Sequence, residues 1–590
     1  MNVLGLSAFY HDSACCLLQH GRLVAAASEE RFSRVKHDAR LPVEAFRYCL
    51  KEGGIGITEL DALAYYESPA LKLSRQLWSG STGNSSRSLA WLDPGQPERA
   101  IRERLGYSGR LLPFEHHQSH AASAFYYSGF PKAALLSADG VGEWATTSYG
   151  TGGPEGIEIF EEVHFPHSLG LLYSTITSYL GFRVNDGEYK LMGLAPYGQP
   201  RFLPQMQALL QSKADGQFEL DLAYFDFVGG KRMFSQELPE LLGQPARQPG
   251  QPLEPFHADL ARSLQLALEQ ILLEKAAYLH RKTSCTDLCM AGGVALNCVA
   301  NGRILRQGPF QRLFVQPAAG DAGGCLGAAA LAHLHLTGQP PAAEPLGDVR
   351  LGPAWTNCQI AQLIRAAGIE AQDFSSKPDE LVESVAGRLQ QSQVVAWFQG
   401  RMEFGPRALG ARSLLANPLD PEIRQRLNRI VKKREGFRPF APSVLAGEAG
   451  RHFELDHPSP FMLETCQVSS QLKLPGITHQ DGSARPQTVD PETHPRFAAL
   501  LRAFEGRTGC PILLNTSFNL AGEPIVRSPI DALFCFGMTE IDALVLGGFL
   551  IDRAALPSNW KKLLPAWPRP EKSGFGREKS PVSEMLYTFV

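Results

Sequence analysis

The chain has 590 residues, of which 44% are hydrophobic and 20% charged, and its formal net charge is -3. This length exceeds one ordinary core, so we expect two large domains or three smaller ones. The composition is typical of a globular protein and not of a disordered one. The slight negative charge gives no indication of a polyanionic partner, and we expect neither a nucleic acid nor a membrane surface as partner.

The sequence has no apolar run of about 18 residues, the length that a membrane-spanning helix needs. Its first residues lack the basic region and the long apolar stretch of a signal peptide. The 11 cysteines are scattered and include no CxxC pair, which favours buried free thiols over disulfides or zinc knuckles. We therefore expect a cytoplasmic protein.

Apolar runs with strand character recur along the chain, and most lead into a glycine-rich, acidic or charged turn. A long segment, 257–281, has apolar residues at helical spacing and predicts a long helix. Such alternation of strands and helices predicts α/β layers, although no internal repeat is apparent. The predicted strands are Val3–Leu6, Ala14–Leu18, Arg22–Ser28, Ala133–Ser137, Leu288–Met290 and Leu313–Gln316.

A segment rich in proline and glycine, from about Leu336 to Pro353, is the best candidate for a linker. After it the alternation resumes with the apolar run at 394–400. We therefore predict a first domain over residues 1–345 and a second over 354–590.

Four residues in the first half have the chemistry of a metal site. His116 and His120 are four residues apart, so on a helix both imidazoles share one face. His117 points about 100° away and is left out. Asp139 and Asp321 each follow a predicted strand, at the end where α/β folds gather ligands. Two imidazoles and two carboxylates suit Fe²⁺, Mn²⁺ or Zn²⁺, whereas the alternative is ordinary helix histidines and capping aspartates.

Two glycine-rich turns follow predicted strands in the same half. One contains Gly292, Gly293 and Asn297, and the other is GDAGG at 320–324. Glycine lets the backbone approach a phosphate, and a helix that follows offers unpaired N–H groups. With Asp139-Gly140, these turns predict an actin-like nucleotide cleft. Each turn alone is weak evidence, and Asn297 has a second possible role as a helix cap.

The motifs HHQSHAASAF, AGGVALN and GDAGG resemble the Kae1-like type of actin-like (ASKHA) ATPase domain. Three more specific motifs are HDSAC at 11–15, EERFSRVKHD at 29–38 and KLMGLAPYG at 190–198. They resemble the O-carbamoyltransferases of antibiotic and nodulation-factor biosynthesis. The resemblance implies an α/β protein with a Kae1-like domain followed by a YrdC-like α/β domain.

Basic residues in the second half lie among glycine, proline and phenylalanine, a context that favours an anion site over solvated surface charges. Guanidinium groups match phosphate oxygens in pairs, and hydroxyl and amide groups on a tight turn can complete an oxyanion pocket. These segments also resemble the YrdC-like nucleotide and acyl-phosphate pocket. The predicted residues are Arg407, Lys432, Arg438, Arg485, Asn515, Ser517 and Asn519.

The resemblance implies that the second domain makes carbamoyl-adenylate from carbamoyl phosphate and ATP, with Mg²⁺ accompanying the ATP. The first domain would then transfer the carbamoyl group to a hydroxyl of a small natural product or sugar, with the aid of a divalent metal, by preference Fe²⁺. His11 is the candidate base or orienting group, and Lys36 a candidate contact to the acceptor. The acceptor and the oligomeric state are left open.

Other classes of protein fit less well. A hydrogenase-maturation carbamoyltransferase would need an acylphosphatase domain and CxxC zinc fingers, and a metalloprotease would need a glutamate within its HxxxH motif. A tRNA threonylcarbamoyl-type transferase and a non-catalytic actin-like ATP-binding regulator remain as alternatives.

Overall fold

The computed structural model describes residues 1–79, 92–228, 232–342, 344–432, 435–557 and 560, and of Lys432 only the backbone. The chain divides into two compact units, with the boundary between Leu346 and Gly347. The prediction placed residues 1–345 in one continuous domain. The structure differs in one respect, because the short segment Glu30–Lys36 groups with the second unit.

The first unit contains two five-stranded sheets of the same topology. In the first, of order β3-β2-β1-β4-β5, β1 pairs antiparallel with β2 and parallel with β4. In the second, of order β12-β11-β6-β7-β8, β6 pairs antiparallel with β7 and parallel with β11. The strands are β1 Asn2–Ser7, β2 Ala14–Gln19, β3 Arg22–Ser28, β4 Ala62–Tyr65, β5 Leu111–Pro113, β6 Ala133–Ala138, β7 Ala145–Gly153, β8 Gly156–His164, β9 Leu210–Ser212, β10 Phe218–Leu220, β11 Asp287–Ala291 and β12 Arg312–Val315.

The duplication is complete at the level of strand order. In each sheet a three-stranded antiparallel meander is extended on one side by two parallel strands that come later in the chain. Two α/β halves of one topology make up an actin-like domain, so the predicted fold class is confirmed. Strands β9 and β10 form a separate two-stranded sheet.

The helices bury small and apolar residues against these sheets. They are α1 Glu30–Ser33, which belongs to the second unit, α2 Val43–Gly53, α3 Pro69–Trp78, α4 Gln96–Ala100, α5 His116–Ser128, α6 Leu169–Tyr179, α7 Glu188–Leu194, α8 Leu203–Leu209, α9 Glu237–Leu242, α10 Pro255–Thr283, α11 Cys298–Gln307, α12 Asp321–Thr337, α13 Asn357–Ala366, α14 Pro378–Gln390, α15 Ile423–Leu427, α16 Ala449–His452, α17 Pro495–Thr508 and α18 Pro529–Met538.

Helix α12 packs closely against both β1 and α5, because glycine stands at the contact points. A Cβ on Gly5 would lie 1.9 Å from the carbonyl oxygen of Cys325, and one on Gly327 would lie 1.7 Å from that of Ser119. No other residue fits at such distances. The two glycines therefore fix the depth at which α12 sits in the first unit.

The second unit is built on an eight-stranded mixed sheet of order β13-β22-β21-β14-β15-β20-β16-β19, with a two-stranded sheet, β17-β18, beside it. Its core consists of fully buried aliphatic and aromatic side chains from these strands and from α14, α17 and α18. The strands are β13 Gln372–Asp373, β14 Val395–Phe398, β15 Arg412–Ala416, β16 Ala441–Leu445, β17 Cys466–Gln467, β18 Ser483–Ala484, β19 Gln487–Val489, β20 Ile512–Ser517, β21 Ala543–Leu546 and β22 Phe549–Asp552.

The six strands and the long helix predicted from the sequence are present, the helix as α10. Within the described part of the chain, no helix combines the length and the apolar character needed to cross a bilayer. The second unit is an α/β unit as expected, while its YrdC-like character stays a prediction.

Candidate metal centre and anion-binding edge

The structure brings together the four residues predicted to bind a metal. Nε2 of His116 lies 3.2 Å from Oδ2 of Asp139 and 3.7 Å from Oδ1 of Asp321. Nε2 of His120 lies 3.6 and 3.8 Å from the same two oxygens. All four side chains are buried, and their ligand atoms lie within 4.8 Å of one another.

Regular structure holds each of these residues in place. His116 is the first residue of α5, so His120 follows one helical turn later on the same face. Asp139 comes directly after β6, and Asp321 is the first residue of α12. Because β6, β11 and β12 run parallel, their carboxyl ends meet at one edge of the sheet. The contact of Gly327 with α5 sets the separation of the two helices.

Backbone amides and a second carboxylate orient the centre. The Gly293 N–H donates to Oδ1 of Asp139 at 2.7 Å, which leaves Oδ2 facing the histidines. Glu143 accepts hydrogen bonds from the N–H of His116, at 3.0 and 3.1 Å, and from the N–H of Ser68, at 2.6 Å. It thereby ties the first turn of α5 to the residue that precedes α3. Glu143 was not predicted, although it lies only four residues after Asp139.

The electrostatics of the group are those of a buried charge cluster. Burial raises the pKa of Asp321 to about 7. Burial alone would lower the pKa of His116, but its hydrogen bond to Asp139 and the charge of Asp321 raise it to about 9. Although burial opposes this, hydrogen bonds from both histidines hold the pKa of Asp139 well below its usual value. The group thus carries excess negative charge that two imidazoles only partly offset.

The donor set fits a divalent metal. Among the described residues, Nδ1 and Nε2 of His120 and Oδ2 of Asp321 are buried without a hydrogen-bond partner. Buried polar atoms in native proteins nearly always have one, so an ion bound at Nε2 of His120 would account for one of these atoms. Mixed imidazole and carboxylate ligands suit Fe²⁺, Mn²⁺ or Zn²⁺, and the geometry does not choose among them.

The remaining residues predicted in the first half have structural partners. The Gly140 carbonyl accepts from the hydroxyl of Ser168 at 2.6 Å. Gly292 has φ +92°, and a Cβ there would lie 2.2 Å from the Ala138 carbonyl oxygen. Asn297 caps α11 by accepting from the N–H of Ala300 at 3.0 Å. The alternative role considered for Asn297 is therefore present, and its contact with a nucleotide stays a prediction.

His11 lies in a group with Asp12 and His37. Its Nδ1 is 2.9 Å from Oδ2 of Asp12, and Nδ1 of His37 is 2.7 Å from Oδ1 of Asp12. Neither Asp12 nor His37 was predicted. Lys36, which was predicted as an acceptor contact beside His11, belongs instead to the segment Glu30–Lys36 that groups with the second unit.

In the second unit the predicted anion-binding residues come together at one edge of the large sheet. Strand β20 runs antiparallel to β15 and to β16, and β19 runs parallel to β16. The amino ends of β15, β16 and β19 therefore lie at the same edge as the carboxyl end of β20. Arg407, Arg438 and Arg485 precede those three strands, while Ser517 and Asn519 lie at the end of β20 and just after it.

This anion-binding edge, as we call it, is partly organised by hydrogen bonds. The Ser517 hydroxyl donates to Oδ1 of Asn519 at 2.7 Å. Buried Asn515 donates through Nδ2 to Ser443 Oγ and to Gln487 Oε1, both at 3.0 Å. Arg438 lies 3.7 Å from a Glu435 carboxylate oxygen. The backbone of Lys432 ends a helical segment, Asn428–Lys432, and its side chain lies outside what the structure describes.

The segment Glu30–Lys36 contacts the same unit through its arginines. Arg31 donates to the Gly405 carbonyl oxygen at 2.7 Å, and Arg34 donates to those of Pro524 and Ile525 at 2.8 and 2.6 Å. These carbonyls lie in the loop before β15 and in the loop after Asn519. The EERF motif is therefore a structural part of the second unit.

Comparison with known families decides the assignment. Residues 2–78 and 102–330 match the family "Carbamoyltransferase N-terminus", and residues 386–553 match "Carbamoyltransferase C-terminus". The chain belongs to the carbamoyltransferase family. It is therefore an enzyme that transfers carbamoyl groups, which removes the alternative of a non-catalytic ATP-binding regulator.

Several relatives support this assignment. An uncharacterized protein of Synechocystis sp. is 45% identical over 94% of this chain and 97% of its own length. Nodulation protein NolNO of Sinorhizobium fredii is 40% identical over 94% of this chain and 81% of its own length. The 3'-hydroxymethylcephem-O-carbamoyltransferase of Amycolatopsis lactamdurans is 36% identical over 46% of this chain and 49% of its own length.

A solved structure of HypF from T. kodakarensis matches 57% of this chain and 48% of its own, at 16% identity and a TM-score of 0.31. This TM-score is too low to support an argument. The fold assignment rests on the sheet topology described above.

Proposed function

We propose that this enzyme is an ATP-dependent O-carbamoyltransferase that works in two half-reactions, one in each unit. The second unit would make carbamoyl-adenylate, and the first would transfer its carbamoyl group to a hydroxyl of a small-molecule acceptor. The buried group of His116, His120, Asp139 and Asp321 carries this proposal, since its donor set suits a metal that assists transfer from a phosphate-linked donor.

The first half-reaction belongs to the anion-binding edge. Water cleaves carbamoyl phosphate to carbamate and phosphate, and a carbamate oxygen then attacks the α-phosphorus of ATP, releasing pyrophosphate. Arg407, Arg438 and Arg485 are placed at the sheet edge to hold phosphate oxygens. The preformed turn of Ser517 and Asn519 offers polar groups for the carbamoyl end. Lys432 would add a point charge.

The second half-reaction belongs to the metal centre. The acceptor oxygen bonds to the carbamoyl carbon, the carbon–oxygen bond to AMP breaks, and the hydroxyl proton passes to the departing phosphate. A divalent ion held by the four residues would neutralise negative charge on that phosphate. The charge and hydrogen bond of Asp12 raise the pKa of His11 to about 9 although burial would lower it. A histidine protonated at neutral pH is a donor, which favours the orienting role over that of base.

Two variants of the full chain separate the half-reactions. We expect His116→Ala to abolish carbamoylation of the acceptor while pyrophosphate release from ATP and carbamoyl phosphate continues. Arg438→Ala should lose pyrophosphate release itself. His164→Ala and Arg451→Ala are matched controls, because both side chains are more than half exposed. If Arg438→Ala releases pyrophosphate normally and fails only in transfer, the assignment of the units is wrong.

The acceptor has to be found by experiment. Candidate hydroxylated compounds, sugars and small natural products among them, are incubated with the enzyme, ATP and carbamoyl phosphate. A carbamoyl mass gain on one of them by mass spectrometry identifies the acceptor. Pyrophosphate release without any such gain, from a broad set of sugars and hydroxylated natural products, would count against a small-molecule acceptor.

A further inference from the structure

The turn that carries His11 is anchored to the chain around His37. The Ser13 N–H and hydroxyl both donate to the Asp38 carbonyl oxygen, at 2.9 and 2.7 Å, and the Phe9 N–H donates to that of Ala39 at 2.7 Å. These bonds fix the turn on both sides of His11. They also bring His37 next to Asp12, although the two are far apart in sequence.

A row of ion pairs and hydrogen bonds runs through the anchored turn. One oxygen of Asp12 faces Nδ1 of His11 at 2.9 Å, and the other faces Nδ1 of His37 at 2.7 Å. Nε2 of His37 lies 3.4 Å from Oδ1 of Asp186. Both carboxylate oxygens of Asp12 are therefore engaged. Because Nδ1 of His11 is held by Asp12, Nε2 is the ring nitrogen left to act on a substrate.

We propose that Asp12 is a positioning residue for carbamoyl transfer, which fixes the ring and the proton of His11, and that His37 and Asp186 hold Asp12 in that position. This inference rests on the role of His11 in the proposed function. A carboxylate that accepts from Nδ1–H of a histidine sets both its tautomer and its orientation. Here a second histidine occupies the opposite side of the same carboxylate.

The backbone supports a functional reason for this arrangement. Asp12 and His37 both have left-handed φ angles, 48° and 54°. Such conformations cost a non-glycine residue roughly 1 kcal/mol or more and persist where the surrounding structure imposes them, often at functional sites. The four side chains are only about one quarter exposed, at 22–26%. The Asp321 charge also contributes to the raised pKa of His11, as expected for a ring near the metal centre.

The test is a double-mutant cycle on the full chain with metal bound, read as acceptor carbamoylation. Asp12→Asn is suitable because asparagine tolerates the left-handed backbone. We expect it to lower kcat of transfer about 10- to 100-fold with little change in KM for the acceptor. In a His11→Asn background the same change should alter transfer less than about twofold, since Asp12 acts through His11. Pyrophosphate release reports whether the variants fold.

Additive effects of the two substitutions would overturn the proposal. If His11→Asn transfers normally, the role of His11 itself fails and with it the basis of the inference. A His116→Ala variant with normal transfer would instead contradict the proposed function. Asp186→Asn should have a smaller effect than Asp12→Asn, because its 3.4 Å contact is the longest of the row.

Two further measurements separate positioning from a structural or metal-binding role. The charges acting on His11 are those of Asp12, Asp321 and His37, so Asp12→Asn should shift the titration of the His11 ring to lower pH by NMR with labelled histidine. An unchanged titration would contradict the proposal. Loss of one equivalent of bound metal in Asp12→Asn would also overturn it, because the group would then be a second metal site.

Discussion

The two candidate sites differ in how firmly the fold holds them. In the first unit four buried side chains from a helix, a strand end and a second helix meet within 4.8 Å. In the second unit the basic residues precede three strands at one sheet edge, on loops, and Arg438 is still 18% exposed. A metal demands fixed ligand distances, whereas phosphate groups can be met by long, adjustable side chains. The fold thus spends its rigidity where the chemistry needs it.

Removal of the metal is the strongest way to break this comparison. Dialysis against a chelator, followed by assay in excess Mg²⁺, should lower carbamoyl transfer by about 10³-fold or more, since a Lewis acid contributes several kcal/mol. Pyrophosphate release should stay within about twofold. Restoring Fe²⁺, Mn²⁺ or Zn²⁺ one at a time identifies the ion that reactivates transfer. If both half-reactions fail together, the sites are not separate as proposed.

Glu143 tests whether the groups behind the metal centre are as firmly set as its ligands. Glu143→Ala removes the acceptor of the His116 and Ser68 N–H groups, and we expect metal affinity to fall about 10- to 100-fold, measured by competition with a chelating dye. Glu143→Gln keeps an acceptor oxygen and should lose less. Equal losses in the two variants would mean that the charge of Glu143, and not its hydrogen bonds, is what matters.

Gly327 tests the packing that separates the two metal-bearing helices. Gly327→Ala would place a Cβ 1.7 Å from the Ser119 carbonyl oxygen, so the helices must move apart at a cost of about 1–3 kcal/mol. Thermal unfolding should show the first unit destabilised and its metal affinity reduced. Gly447→Ala is the control, because no atom lies within 4 Å of a Cβ there. An unchanged Tm would show that the contact is not limiting.

His457 tests how weak exposed charge pairs are in the second unit. Its hydrogen bond to Glu464 raises the pKa of His457 to about 9. A raised histidine pKa stabilises the fold fully below the unfolded value of about 6.5, and this stabilisation is lost as pH rises through about 9. His457→Gln should therefore lower Tm at pH 6 and have little effect near pH 10. Since His457 is 36% exposed, we expect less than about 1 kcal/mol. A loss independent of pH would point to packing.

Much of the first site could be predicted because its residues obey local rules. The spacing of His116 and His120 needs only a helix, and Asp139 and Asp321 need only to follow strands. Asp12 and His37 lie within recognised motifs, yet nothing in their spacing indicates that they meet. Their contact depends on the anchoring of one turn to a distant carbonyl. Asn297 shows the opposite case, in which a predicted ligand contact also serves as a helix cap.

The sequence by itself determined the α/β class, the two-domain organisation, the four metal-ligating candidates and the resemblance to carbamoyltransferases, because these depend on periodicity, spacing and contiguous motifs. Only the tertiary structure decided that the first unit repeats one sheet topology twice, that Glu30–Lys36 groups with the second unit, and that Glu143, Asp12 and His37 stand behind the predicted residues. The physical reason is that strand order and long-range hydrogen bonds join residues whose separation along the chain carries no periodic signal.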